Sequence, residues 1–491
     1  MNRKAIFHSL GQILFVEAIV LTIPLISSLI HRDNQYLSFL IPIATVLAIG
    51  LLLTLLIKNE SNRIGAKEGF IIVGLSWILL GLFGCLPFII SGAIPNFINA
   101  FFETVSGYTT TGATILNGEQ IEHYTATMPS IMLYRSLTHF AGGMGILVFV
   151  LAILPKSEGN NIFILRAEST GPQVGKLVSK IKVTARILYI IYIALTALEV
   201  LLLAISPSMT FFEALNYSFS TAGTGGFGIY VDSCARFSNY CQVVISIFMM
   251  IFGINFNIFY LIVIGKVSKA LKSEELLTYI SLMIVATATV TINIFYGAMS
   301  ISGESFGTAL RLGFFETSSF MTSTGLTNAS YLDWPALSKV ILLFCMFIGA
   351  CAGSTGGGLK IARICILFKS AKREMSHLIH PKRISNIKFE GETLNESVSK
   401  NVLSYFTTIM ILVVFFTILI SIDGFDIETN FSAVASCINN VGVAFGHVAE
   451  VGNFNDYSAF SKIILSFSML IGRLEVYPIL ILFNYKTWLN R

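Results

Sequence analysis

Long apolar runs alternate with short polar punctuation along almost the whole chain. Two runs open it, over 9–30 and 36–57, joined by the polar turn HRDNQ and followed by a polar segment at 58–68. One order then repeats four times: a long apolar run, a short amphipathic stretch, a turn of hydroxyl or amide residues ending in glycine, and a second long run. The long runs lie at 69–91 and 128–154, 185–205 and 241–264, 276–299 and 336–368, then 402–422 and 458–485. Such runs approach or exceed the ~20 residues that cross a bilayer. The pattern predicts an all-α polytopic membrane protein with about ten transmembrane helices and four half-crossings. Two N-terminal helices fill 1–68, and four helix–pore loop–helix units follow at 69–184, 185–275, 276–399 and 400–491.

The short stretches are copies of one another. FFETVSGYTTTGAT (101–114) returns as FFEALNYSFSTAGTGGF (211–227) and FFETSSFMTSTGLT (314–327), with a weaker fourth copy, SAVASCINNVGVAFG, at 432–446. From Gly112 to Gly226, Gly325 and Gly442 the steps are 114, 99 and 117 residues. That period is too long for a solenoid and suits a pair of membrane helices with a loop between them.

Composition agrees with the pattern. Of the 491 residues 54% are apolar and 12% charged, about half the charged share of a soluble domain. The seven cysteines form no C-x-x-C pair, and most lie in apolar runs as small hydrophobes. Cys234 and Cys241 share an outer loop, where a bridge and two free thiols are both open.

Charge orients the chain. The termini, the polar segments after crossings 2, 4, 6 and 8, and the adjoining run ends with Arg186, Lys360 and Arg363 hold 25 of the 32 basic residues, which makes that side cytoplasmic. Asp33, Asp232, Asp333, Asp423, Asp426 and Asp456 all fall on the opposite side. An acidic mouth concentrates cations ahead of a narrow path.

Irregular backbone at membrane depth survives only where protein buries it or a water-filled cavity receives it. Four such loops in one chain therefore imply a shared cavity. Glycine after threonine lets carbonyls turn toward an axis without a Cβ clash, and rings of carbonyl oxygens replace the hydration shell of a permeating cation. Short pore helices starting near Phe101, Phe211 and Phe314 would aim their negative C-terminal ends at that cavity.

TTTGAT, TGGF, TSTGLT and NNVG, each in phase with the long runs, resemble the pore loops of the Trk/Ktr/HKT superfamily of potassium transporters, and the two extra N-terminal helices point to its TrkH branch. The resemblance implies potassium ligands on the carbonyls of Thr110, Thr111 and Gly112, Ser323, Thr324 and Gly325, and Asn440, Val441 and Gly442. In the second loop Glu213 is ten residues from Gly223 and thirteen from Gly226, against nine in copies one and three. The family's G-G-F pattern selects Gly225 and Gly226, with one extra helical turn in that pore segment. The resemblance also implies a gate below the filter, made by ACAGSTGGGLK (350–360) with Gly353, Gly356, Gly357 and Gly358, and by Arg473 in LIGRLEVYP. The glycine stretch is no phosphate-binding loop, since G-x-x-x-x-G-K-[ST] is not met; close packing of small residues between helices is its structural alternative. A charge deep in a membrane segment is a functional hypothesis by default, and for Arg473 the structural alternative is a pair with Glu475. Glu17 and Glu199 are also intramembrane, and Arg135 and His139 brace the first loop's outer end.

These readings point to channel-like potassium uptake across a bacterial inner membrane, with potassium held at the filter and no organic cofactor. A symporter coupled to protons or sodium is the alternative. Nothing matches H-E-x-x-H and no C-x-x-C pair occurs, so an enzyme is not expected. The resemblance further implies a homodimer on a cytosolic nucleotide-binding subunit of the TrkA type. The basic surface from Lys369 to Lys400 suits such a partner and equally suits anionic lipid.

Overall fold

A computed structural model describes residues 2–55, 65–143, 145, 181–296, 305–382, 386–449 and 453–488. Helices Arg3–His31 and Tyr36–Leu55 form the N-terminal pair. They meet at two glycines: a Cβ on Gly11 would stand 3.0 Å from the Gly50 carbonyl oxygen, and one on Gly50 would stand 3.1 Å from that of Gly11. Small residues at a membrane-helix crossing allow this approach. The left-handed Arg32 and Asn34 turn the chain between the helices. Asp33 then accepts hydrogen bonds from Ser28 Oγ (2.5 Å) and from the Ser130 N–H (3.0 Å), which ties the pair to the first unit.

Each unit has an outer helix, a pore helix and a return helix. The outer helices are Ala66–Gly84, Ile181–Ala204, Glu274–Tyr296 and Glu396–Ile420, and the pore helices are Phe97–Tyr108, Phe211–Gly223, Phe306–Thr322 and Ile427–Asn439. Every pore helix starts on a side-chain cap, from Asn96, Thr210, Ser305 and Asp426 respectively, which satisfies amide groups that no earlier turn reaches. Large apolar side chains such as Leu201, Ile284, Phe415 and Ile418 stay exposed on the outer helices. In a soluble protein a continuous patch of this kind is rare; here it faces hydrocarbon.

The return crossings are not the continuous helices that hydropathy suggests. In the second unit Asn239–Phe252 and Phe256–Val263 are bent by 88° at Gly253–Asn255. In the third, Ala336–Ile348 and Ile361–Ile379 are separated by an irregular stretch at 349–360. In the fourth, Ala459–Arg473 gives way to Tyr477–Phe483 through the left-handed Glu475 and Val476. The first return helix runs Pro129–Gly143, and its expected continuation to 154 lies outside the described residues, as does much of the basic segment after it. Six described helices are long and apolar enough to cross a membrane singly; the return crossings are built from shorter pieces. Apolarity sets the membrane depth of a segment, whereas glycines and loop contacts decide its continuity.

Described strands are confined to the small antiparallel hairpin of Lys388–Phe389 and Glu392–Thr393 on the basic side. Its turn residue Glu390 accepts hydrogen bonds from Ser273 Oγ (2.8 Å) and the Glu275 N–H (2.9 Å), capping the third outer helix. Cys234 and Cys241 are both free and buried, so the bridge left open by the sequence is not formed.

Candidate functional site: a ring of four loops

All four pore helices end in the same way. A left-handed residue follows the last turn, at Thr110, Thr224, Ser323 and Asn440, with φ of 55°, 51°, 58° and 53°. Two residues on comes the glycine, also at positive φ: 83° at Gly112, 88° at Gly226, 76° at Gly325 and 88° at Gly442. The residue between them returns its N–H to a serine carbonyl five residues back. Thr111, Gly225 and Thr324 reach Ser106, Ser220 and Ser319 at 2.9 Å, and Val441 reaches Ser436 at 3.0 Å. This is the closing bond of a Schellman-type helix end. Gly226 therefore occupies the second unit's ring position, and Gly223 is the last residue of its pore helix.

The four turns close on one another. A Cβ on Gly112 would stand 2.0 Å from the Gly225 carbonyl oxygen, and one on Gly226 would stand 2.4 Å from that of Thr324. The series continues from Gly325 to the Val441 oxygen at 2.1 Å and returns from Gly442 to the Thr111 oxygen at 2.2 Å. Units one, two, three and four thus meet in cyclic order, each glycine Cα against the carbonyl of the next unit. The negative ends of four pore helices converge on this ring.

A second circuit lies beyond the glycines. Arg135 donates to the Gly228 carbonyl (2.9 Å), the Cys234 N–H to Thr327 (2.9 Å), Tyr331 Oη to Ala444 (2.7 Å) and the Phe454 N–H to Thr114 (2.7 Å). The two circuits fix the relative position of segments separated by hundreds of residues in sequence.

Side chains differ from unit to unit. Glu103 forms a buried ion pair with Arg135 at 2.6 Å and accepts from the Thr114 hydroxyl and the Ile115 N–H. Glu316 in the third unit receives the Asn328 N–H at 2.9 Å. Glu213 does not correspond to either. It completes a capping box with Thr210 at the start of its helix, and Tyr217 stands nine residues before Gly226 instead. The shared F-F-E spelling therefore conceals one turn of displacement. Asn440 links two units, donating to Thr111 Oγ1 and to the Met469 carbonyl, both at 2.9 Å. Arg135 and His139 brace the second loop as well as the first: Arg135 covers the Phe227 ring at 3.6 Å, and His139 bonds both Gly107 and Phe227.

Sequence reading missed Thr224 and the four serines. Their signal was present, since each serine precedes its ring glycine by six positions in all four copies. Only after the second copy is shifted to Gly226 does that spacing become visible.

The glycine stretch 349–360 lies directly against this ring. The Gly357 N–H donates to Ser323 Oγ (2.5 Å) and the Gly358 N–H to the Asn439 carbonyl (3.1 Å). Its other side is stitched to the break in the second return helix, through Cys351 N–H to Gly253 and Phe256 N–H to Gly353, both at 3.0 Å. Glu275 holds that junction, accepting from the Ala352 N–H (2.6 Å) and Asn255 Nδ2 (3.2 Å).

Three bases surround the stretch. Arg473 donates to the carbonyls of Thr355 (2.9 Å), Gly142 (2.5 Å) and Gly143 (2.6 Å), joining it to the first return helix. Lys360 Nζ donates to the Gly356 carbonyl. Arg363 pairs with Glu475 and lies 3.9 Å over the Tyr405 ring. Glu475 thus pairs with Arg363, a partner the sequence did not suggest. Lys360 and Arg363, counted above among the cytoplasmic bases, are buried.

Comparison with known proteins gives one answer along the full length. The family model described as TrkH, cation transport protein, matches residues 37–488. The Trk system potassium uptake protein TrkH of Salmonella typhimurium is 35% identical over 99% of this chain and 100% of its own. The Trk system potassium uptake protein TrkG of Escherichia coli is 30% identical over 99% of this chain and 98% of its own. Among solved structures, the potassium transporter TrkH from Vibrio parahaemolyticus matches with a TM-score of 0.89 and 31% identity, covering 100% of both chains. The four-unit architecture and these likenesses agree: the chain belongs to the TrkH family of cation transport proteins and is a multi-pass membrane transporter, not an enzyme.

Proposed function

We propose that this chain carries potassium into the cell through the four-loop ring, with the carbonyls of residues 110–112, 225–226, 323–325 and 440–442 as its filter. The observation that carries the reading is the closed cycle in which each ring glycine abuts the next unit's carbonyl. Such a cycle gathers backbone oxygens from four units at one level and admits no side chain on the glycines. Carbonyl rings of this kind replace a cation's hydration shell. The stretch 349–360 with Arg473 is the gate: it touches the ring through Ser323 and Asn439, and its cationic surroundings oppose cation flow. The Glu390 hairpin and the basic segment after Ile379 offer a cytoplasmic face for a nucleotide-binding regulatory subunit, with the transporter acting as a homodimer in a bacterial inner membrane.

The test is flux through purified protein in liposomes, comparing rubidium with sodium in wild type and Gly112→Ser. A selective wild type and a variant with diminished preference support the ring as filter. An unchanged preference in the variant removes it from that role. Flux that requires a proton or sodium gradient would make the protein a coupled symporter.

A further inference from the structure

The residue before each ring glycine is Thr111, Gly225, Thr324 or Val441. Thr111 and Thr324 have their hydroxyls held, by Thr109 and Thr322 at 2.8 Å, and Val441 is fully buried. Gly225 alone has no side chain to pack. Its place is filled by a residue of another unit, since a Cβ on Gly225 would stand 2.1 Å from His139 Cγ.

The His139 ring is fixed at both nitrogens. Nδ1 lies 2.8 Å from the Gly107 carbonyl oxygen and Nε2 lies 3.2 Å from the Phe227 N. A carbonyl only accepts and a backbone N–H only donates, so Nδ1–H donates to Gly107 and Nε2 accepts from Phe227. The imidazole also packs on the Phe227 ring, with centroids 4.1 Å apart. It thereby ties the end of the first pore helix to the second loop, beside the residue whose carbonyl meets Gly112.

The return helices of the second and fourth units treat the equivalent turn differently. Arg135, Gln242 and Lys462 each reach into the next unit, to Gly228, Asn328 and Asn99. One turn later stand His139, Ser246 and Ser466. The two serines are buried and bond back to the carbonyls of Gln242 and Lys462 at 2.8 Å. In those two units a small residue on the helix accompanies threonine in the following loop, Thr324 or Thr111, whereas in the first a large one accompanies Gly225.

We infer that His139 is a specificity-determining positioning residue, an imidazole supplied by the first unit that takes the place of the side chain missing from the second filter loop. The inference rests on the proposed role of the ring as ion filter.

A swap of volumes tests it in the full-length protein in liposomes, reading rubidium against sodium flux. His139→Ala and Gly225→Thr should each lower the preference by about tenfold, the first by freeing the loop and the second by collision with the ring. The double variant should recover most of it, because threonine occupies the vacated space. A double variant no better than the worse single variant, or His139→Ala with wild-type preference, overturns the inference. If His139→Ala cannot be recovered folded, His139→Gln takes its place, keeping an acceptor for Phe227 without the ring. Lost preference restored by Gly225→Thr then supports the inference, and wild-type preference overturns it. Gly112→Ser run in parallel separates the two readings. Its loss of preference beside unaffected His139 variants leaves the ring standing and removes only His139, whereas its failure to change anything removes the ring itself.

Discussion

The ring and the stretch beneath it are built on opposite plans. The ring is made four times over from one local recipe: a capped helix, a left-handed residue, and a glycine two positions later at positive φ. The approaches that close it, glycine Cα to the next unit's carbonyl, are backbone to backbone and carry no formal charge. The stretch 349–360 occurs once among the described residues, in the third unit, and besides its backbone bonds it is held by four different side chains: Glu275, Ser323, Lys360 and Arg473. Repetition gives equivalent oxygens around one axis, which suits choosing an ion by size and coordination. Singularity gives one element with charged handles, which suits moving. The outer clamp of Glu103 and Arg135 belongs with the ring, since it secures loops one and two together.

The largest expected effect breaks the rigid side of this contrast. Arg135→Ala leaves Glu103 buried without its partner and should cost ~3–5 kcal/mol of stability. Thermal melting of the detergent-purified protein would show it, and a melt close to wild type would mean the pair does not hold the ring together.

Next, two alanine substitutions at positive φ compare the regions directly. A Cβ on Gly325 meets the Val441 oxygen at 2.1 Å, while one on Gly353 finds its nearest atom, Asn255 Oδ1, at 3.2 Å. Both bear backbone strain of ~1–2 kcal/mol. Only Gly325→Ala should lower the rubidium-to-sodium preference, by about tenfold; Gly353→Ala should change total flux at constant preference. Equal losses of preference would erase the distinction between filter and gate.

On the proposed gating role, Arg473→Ala should raise flux by a few-fold, again without altering preference, because it removes a positive charge and three bonds to the carbonyls of Thr355, Gly142 and Gly143. Lower flux would indicate that Arg473 supports an open path.

The smallest effect concerns the N-terminal pair, outside both regions. Burial pushes the Asp33 carboxyl up, but hydrogen bonds from Ser130 and Ser28, with the Gln35 N–H, outweigh it and hold the group below the ordinary aspartate range. Its stabilisation is therefore present above the unfolded value near pH ~4 and disappears as pH falls through the lowered folded value. Asp33→Asn should cost a few tenths of a kcal/mol at neutral pH, after solvent screening, and nothing in acid. Melts of both proteins from pH 3 to 7 (roughly the window set by aspartate titration) should converge at the acid end; a constant gap would rule out ionisation of Asp33 as the source.

Much of the ring was legible because its instructions are local. The glycine at 112, 325 and 442 and the hydroxyl and amide residues before it are spelled within a few residues, and the family's G-G-F pattern selected 226 over 223. The second copy shows where spelling misleads: F-F-E at 211–213 looks homologous to 101–103, yet Glu213 caps its own helix while Glu103 clamps a loop. Hydropathy could not reveal the breaks at Gly253 and 349–360, because an apolar segment reads the same whether straight or bent.

The sequence by itself determined that there are four similar loops between membrane helices, where each turns, and which family of transporters they belong to. Those properties depend on hydrophobic length, helix caps and glycine, all short-range. Only the tertiary structure decided that the loops close in the order one to four, that His139 serves the second loop, and that Lys360 and Arg363 are buried. Each of these depends on groups far apart in the chain, such as Gly442 and Thr111, meeting within contact distance. At those separations the outcome is set by which carbonyls and charges find partners once water is excluded, and no local pattern encodes that choice.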